Sequence, residues 1–439
     1  MIKINIGLLS VALTFSSLYS QDFKAHGSKA IAMGGVGVAS SRDVFATYYN
    51  PALLAKTKSG VDVNINFEVG MQEDGLIRHI NALNDYEIKD TLDRIGDNAP
   101  DEDGKNAKSN TQEDRDNLTK IQNRLKQINT NDNVAVDSST DLLFRIDSYA
   151  FGLMMSATSL SNIVVDKQRT ALITEVEADD SMYYAEYDQS IDTYIVHNSS
   201  DIYEEESLEY AIDEEKTYIS EKVLMISSIP LSYGHDFHFK NIGELDVGAT
   251  LKFMQGRYIQ KNINLEKKSI NIDFNDAVIT NTFGIDFGLA FTPDMFSPLT
   301  IGFVGKNLNT PTFNTENSSI GLEPMFRLGA SYLLFQNELE VAFDIDLTKN
   351  KTELTKVERQ YAGFGVSYEP VNWFHMRGGM MEDIATNTSG TIYTAGLGLG
   401  HPKFMLDISG QYSADTVTYN NGKSLPEYSK INVSITSKW

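Results

Sequence analysis

The chain has 439 residues, no Cys, 37 Lys and Arg against 60 Asp and Glu, and a formal charge of −23. That charge excludes a nucleic-acid surface, which needs clustered Lys and Arg. The lack of Cys excludes disulfide scaffolds, thiolate metal sites, redox motifs and a Cys-borne lipid anchor.

Residues 1–20 read as a secretory signal peptide. Lys3 supplies the positive start, Ile4 to Phe15 is largely apolar, and Ser16 to Ser20 is rich in small residues before Gln21. Residues 21–58 do not alternate. Between 27 and 55 they read GSKAIAMGGVGVASSRDVFATYYNPALLA. Gly34, Gly35 and Gly37 permit close backbone packing, and Pro51 pushes Asn50 away from helix. A dinucleotide loop does not fit, because no strand precedes it and Ser40 stands where the third Gly belongs.

Nothing after residue 20 offers the roughly 20 consecutive apolar residues of a helical span, but a barrel needs only alternation. Run 61–70 places Val61, Val63, Ile65, Phe67 and Val69 on one side and Asp62, Asn64, Asn66 and Glu68 on the other. Thirteen further runs follow: 145–157, 162–174, 222–234, 242–260, 279–292, 299–308, 325–335, 337–347, 358–369, 371–380, 391–400, 403–413 and 428–439. Many hold about nine to eleven residues, enough for a tilted strand to cross a bilayer. Full charges on the polar side suit a wet lumen better than a sandwich core. Tight turns at 158–161, 235–241, 293–298, Gln336, Pro370 and 401–402 alternate with long connections at 71–144, 175–221, 261–278, 309–324, 348–357, 381–390 and 414–427. This order predicts an all-β fold: a transmembrane antiparallel β-barrel of about 14 strands over 59–439, with both termini on the periplasmic side.

The loops carry their own patterns. In a helical extracellular insert at 71–140, Ile80, Leu83, Ile88, Leu92 and Ile95 give one apolar stripe, and Leu118, Ile121, Leu125 and Ile128 another. Asp101 to Gly104 lacks the spaced oxygen ligands of an EF-hand. The acidic loop 175–221 holds sixteen carboxylates and the single base Lys216. It reads as a solvated outer loop, with binding of divalent cations beside lipopolysaccharide as the sharper alternative.

No hydrolase, zinc or phosphate-loop motif appears, so no catalytic residue, metal or cofactor is expected and the protein is not read as an enzyme. His375 and Asp407 come nearest to a hydrolase pair, and nothing in the sequence joins them. Asp246, Asp286, Glu340, Asp344 and Asp346 should face the lumen, with Arg377, Arg145, Lys252 and Arg327 as partners. Such groups either hold the lumen shut as ion pairs or line a path and set its selectivity.

The pattern from Ala30 to Ala39, then Asp43, then Ala46 to Ala55 with Asn50-Pro51-Ala52, resembles the start of FadL-like outer-membrane barrels. The stretches Gly305–Leu308, Arg327–Ala330, Asp344–Leu347 and Arg377–Gly379 are similar to the barrel-type TraF conjugal transfer branch. The resemblance implies that 21–58 folds back as a hatch inside the lumen, with Asn50, Pro51 and Ala52 at its centre. Gly34, Gly35, Phe45, Tyr48 and Tyr49 then become gating or ligand residues, and the terminal Trp439 a signal to the barrel-assembly machinery. It further implies an outer-membrane location after signal-peptide cleavage. Passage of small apolar molecules is the first functional expectation. An envelope scaffold docking a protein partner through the insert is the second.

Overall fold

The computed structural model describes residues 23–56, 60–100, 105–178, 181–264, 274–351, 357–386, 389–401, 403–418 and 422–439. The segment expected to be a signal peptide and the expected turn at Asp101–Gly104 lie outside the described residues. Fourteen strands form one closed antiparallel barrel. They are β1 (Val61–Glu73), β2 (Asn133–Ile146), β3 (Tyr149–Val164), β4 (Tyr218–Phe239), β5 (Gly243–Asn264), β6 (Val278–Pro293), β7 (Leu299–Lys306), β8 (Met325–Leu334), β9 (Leu339–Asp346), β10 (Tyr361–Val371), β11 (Phe374–Asp383), β12 (Ile392–His401), β13 (Phe404–Ser413) and β14 (Tyr428–Lys438). β1 closes the cylinder on β14, with Ile65 opposite Ile435.

Side chains alternate as the sequence predicts. Phe287 and Val433 are 38% and 37% exposed, while Asp286 and Asp344 are buried at 1% and 2%. A closed barrel pairs all its strands, so its backbone polar groups are satisfied inside a bilayer. Tyr149, Tyr233, Phe237, Phe239, Trp373 and Trp439 are exposed near the tight-turn end, where an aromatic belt meets the membrane interface. The first and last barrel strands meet at that end, the Val61 N–H donating to the Trp439 carbonyl.

One hairpin corrects the sequence reading. Run 145–157 is split by a turn at Asp147 and Ser148, and only the first three residues of run 162–174 belong to the barrel, as the end of β3. The true second and third strands are β2 and β3, paired from Ile146–Tyr149 up to Asn133–Asn162. The insert therefore ends before Asn133 rather than at 140. The outward positions of the upper half of β2 include Ser138 and Thr140, because this part of the wall rises above the apolar band. Without lipid to face, its alternation fades.

The insert contains helices Leu76–Asp85, Ile88–Gly96 and Gln112–Gln127. Thr111 caps the third, its side chain accepting from the Asp114 N–H. Residues 175–221 are a second correction, being folded rather than a bare solvated loop. A three-stranded sheet (Ile173–Ala178, Ser181–Asp188, Thr193–His197) and two short helices occupy most of this region. Tyr187 packs with Ile95, Leu118 and Leu172, and Tyr184 with Ile173 and Tyr203. The acidic count hides these tyrosines, which supply the apolar surface that folds the region. The third correction lies in 309–324. There Thr312–Asn314 pairs with Ser319–Gly321 as a hairpin, and its Phe313 is fully buried. That ring fills the space over Gly256 on the luminal face of β5, so the hairpin caps the outer lumen.

Candidate functional site: a plugged lumen

The described part of 21–58 lies inside the barrel, as a short helix Ser28–Ala32, a turn of helix Ala46–Tyr49 and a 3-10 turn Pro51–Lys56. Asn50 is its pivot. Its Nδ2 donates to the carbonyls of Val38, within the hatch, at 2.8 Å and of Leu289, in the wall, at 2.9 Å. Its Oδ1 accepts the Ala52 N–H at 3.1 Å. The wall admits this turn because it is glycine there. A Cβ at Gly288 would stand 2.0 Å from Asn50 Oδ1, and one at Gly248 would stand 2.3 Å from the Pro51 carbonyl carbon. The hatch glycines do the converse. Gly34, at φ +69°, lies so close to β10 and β11 that a Cβ would stand 2.3 Å from the Met380 carbonyl oxygen.

The aromatic residues form one cluster. Phe23 stacks on Tyr49 with centroids 5.8 Å apart, Tyr48 meets Tyr49 edge-on at 5.0 Å, and the Phe45 ring meets His26 at 5.5 Å. The Tyr49 hydroxyl accepts the His26 backbone N–H at 2.7 Å.

Charge fixes the hatch around the circumference. His26 Nδ1 lies 2.9 Å from Glu68, and Nε2 lies 2.9 Å from Asp141. Burial alone would lower the His26 pKa, but the two carboxylates raise it to about 9, so the ring is cationic at neutral pH. Lys29 and Arg42 both reach Glu340, at 2.6 and 3.2 Å. Lys56 meets Asp246 at 2.9 Å. Asp344 accepts the N–H groups of Gly37 and Val38 at 2.7 and 3.0 Å. Arg327 pairs with Asp346 at 2.6 Å and donates to the Phe23 and Gly35 carbonyls.

All five luminal carboxylates named from the sequence are thus buried, and four of them bear on the hatch directly or through Arg327. Asp286 instead pairs with Lys252 at 2.8 Å. Arg377 stands between His375 and Asp407, at 2.8 and 2.5 Å, so the hydrolase-like pair is not formed. Sequence reading missed the hatch cations Lys24, His26, Lys29, Arg42 and Lys56. Their signal was five basic side chains in a segment destined for a barrel full of inward carboxylates.

Two spaces flank the plug. On the tight-turn side a vestibule of about 640 Å3 is lined by Lys29, Arg42, Asp62, Glu369, Arg377 and Lys438 among others. Between the hatch and the outer hairpin a chamber of about 50 Å3 is walled mainly by Met154, Met254, Met325, Leu322, Pro230 and Tyr48.

A family model described as "F plasmid transfer operon, TraF, protein" matches residues 47–346. Among solved structures, the P. putida toluene transporter TodX is similar at 12% identity and TM-score 0.48, over 95% of this chain and 99% of that one. The Ralstonia pickettii toluene transporter TbuX is similar at 13% identity and TM-score 0.47, over 95% and 98%. A Pseudomonas aeruginosa FadL homologue follows at 10% identity and TM-score 0.42, over 97% and 99%. No curated protein matches.

Proposed function

This chain belongs to the family described as the TraF protein of the F plasmid transfer operon, and from that premise we propose that it passes small apolar molecules through a lumen gated by residues 21–58. One observation carries this reading: a chamber walled by Met154, Met254, Met325 and Leu322 lies inside the barrel between two plugs. A thioether-rich lining adapts to apolar shapes without demanding a fixed hydrogen-bond pattern. The resting protein is closed, so passage requires the hatch to leave the wall. Asn50, Pro51 and Ala52 act as its hinge seat. Phe45, Tyr48 and Tyr49 form the surface that moves, and Gly34 and Gly35 form the contact that must separate. Cargo that crosses the hatch enters the polar vestibule and is released to water there.

The test is uptake of a labelled small hydrocarbon by Gram-negative cells that express the chain. Deletion of residues 23–56 should raise permeability, and the intact chain should favour the hydrocarbon over a sugar of similar size. Equal permeability with and without the hatch contradicts the reading.

A second reading is a non-transport envelope component, in keeping with the family description. What favours it is the layered outer unit, in which a sheet lies between helices on both faces. Replacing residues 75–132 by a short linker separates the two readings. Loss of conjugal transfer with uptake retained favours the second.

A further inference from the structure

Lys306 ends β7 with its side chain turned into the lumen, only 4% exposed. Its Nζ sits 3.2 Å from the Tyr48 ring centroid and 4.4 Å from that of Phe23. Among the described residues it makes no ion pair. Across the chamber, the Oγ of Ser228 is buried without a hydrogen-bond partner. Lys252 Nζ also borders this space. It gives one proton towards Asp286 at 2.8 Å and one to Asn307 Oδ1 at 2.7 Å, which leaves a third. Asp286 is engaged further by the Asn307 N–H at 2.8 Å. When Lys306 is protonated, two ammonium groups face one carboxylate and the chamber lining carries one positive charge in excess.

Aromatic faces attract an ammonium but do not neutralise it. A buried charge without a counter-charge is strongly destabilising, and an orphaned buried hydroxyl adds to that cost. The space is of the right order to correct both. A cavity needs about 10–15 Å3 in this measure to hold one water, so about 50 Å3 holds a few waters or one small ion.

We propose that this chamber is a binding site for a small monovalent anion, of chloride to acetate size, held by Lys306 Nζ, Lys252 Nζ and Ser228 Oγ. The bound anion cancels the excess charge beside Tyr48 and so secures the hatch against the wall. Asp286 repels it only weakly, because its carboxylate is already shared between Lys252 and Asn307. The site occupies the same chamber that carries the transport reading, so a bound anion and an apolar cargo exclude one another there; anion binding is nevertheless measured without any transport, so the two readings fail separately.

The test uses the full mature barrel in detergent at constant ionic strength, with gluconate replaced stepwise by chloride or by acetate. Unfolding is followed by heat-dependent migration. The expected result is a saturable rise in the unfolding midpoint with chloride, acetate or both, and the two titrations tell a halide site from a carboxylate site. In crystals soaked in bromide, a halide site shows one anomalous peak between Lys306 and Ser228. Lys306→Met, of similar length and uncharged, should abolish the rise. Ser228→Ala should weaken the apparent affinity without removing it, and it keeps the test open should Lys306→Met fail to fold. The same midpoint in gluconate, chloride and acetate overturns the proposal. So does an anion effect that persists in Lys306→Met, or an affinity unchanged in Ser228→Ala.

Discussion

The hatch and the external insert are both additions to the same cylinder, and they are held by different balances of forces. The hatch packs apolar side chains on Leu143, Met154, Val304 and Ala290, and adds to this buried ion pairs and backbone seated against wall glycines, spread from β1 around to β14. The insert is fixed by an apolar cluster in which Leu76, Ile77 and Leu125 meet Val134, Ile163 and Ile219 at the tall outer rim. Charge buried in a packed lumen is specific and brittle, because each lost partner leaves another charge uncompensated. Apolar packing is graded, because each lost methylene costs a little. Under the proposed gating, a segment that detaches as a unit is well served by the first kind of bond, and a permanent outer unit by the second.

That contrast can be broken most severely at Arg327. Arg327→Met strands Asp346 and frees the Phe23 and Gly35 carbonyls. Loss of a buried pair of this kind costs about 3–5 kcal/mol. Amide hydrogen exchange over residues 26–54 should rise steeply while exchange in the insert stays unchanged.

Next comes pH. The folded pKa of His26, about 9, lies above its ordinary value of 6.5. The stabilisation is therefore complete below about pH 6.5 and is lost as pH rises through 9, amounting to ~3 kcal/mol. Hatch protection, corrected for intrinsic exchange, should fall between pH 6 and pH 10 in the wild type. It should be insensitive to pH over that range in His26→Gln.

Gly288→Ala should follow, since its Cβ meets Asn50 Oδ1 at 2.0 Å. Overpacking costs about 1–3 kcal/mol, read as increased protease cleavage within the hatch. Gly378→Ala is the control, because the nearest atom to a new Cβ there is 3.8 Å away.

The smallest effect on the hatch should come from Leu118→Ala. It opens a cavity beside Ile95, Leu172 and Tyr187. About 2–5 kcal/mol is lost from the insert, and calorimetry should show its transition move while hatch exchange does not. Coupled loss of both would mean that the two regions are not independent.

Legibility in the sequence follows the same division. Wherever lipid faces a strand, parity was readable: Phe287 and Val433 turn outward and Asp286 turns inward as expected. The strand count survived, but β2 and β3 were misplaced because their upper halves face no lipid and carry Ser and Thr outward. Pro51 marked a turn by its fixed φ, but the place of Asn50-Pro51-Ala52 at the centre of the luminal segment came from the resemblance to FadL-like barrels. The partners of that segment were not readable, because an ion pair such as Lys29–Glu340 joins residues 311 apart and leaves no periodic trace. The outer hairpin was hidden for a related reason. Phe313 is buried by tertiary contact with Gly256 rather than by any pattern of its own.

The most direct test of the account uses a tether. Ser28 in the hatch and Ser434 in β14 have hydroxyl oxygens 2.8 Å apart, and the natural chain has no Cys to interfere. In the double variant Ser28→Cys, Ser434→Cys, oxidation should stop hydrocarbon uptake and reduction should restore it. Uptake that proceeds equally with the hatch locked to the wall would contradict the claim that its release opens the lumen.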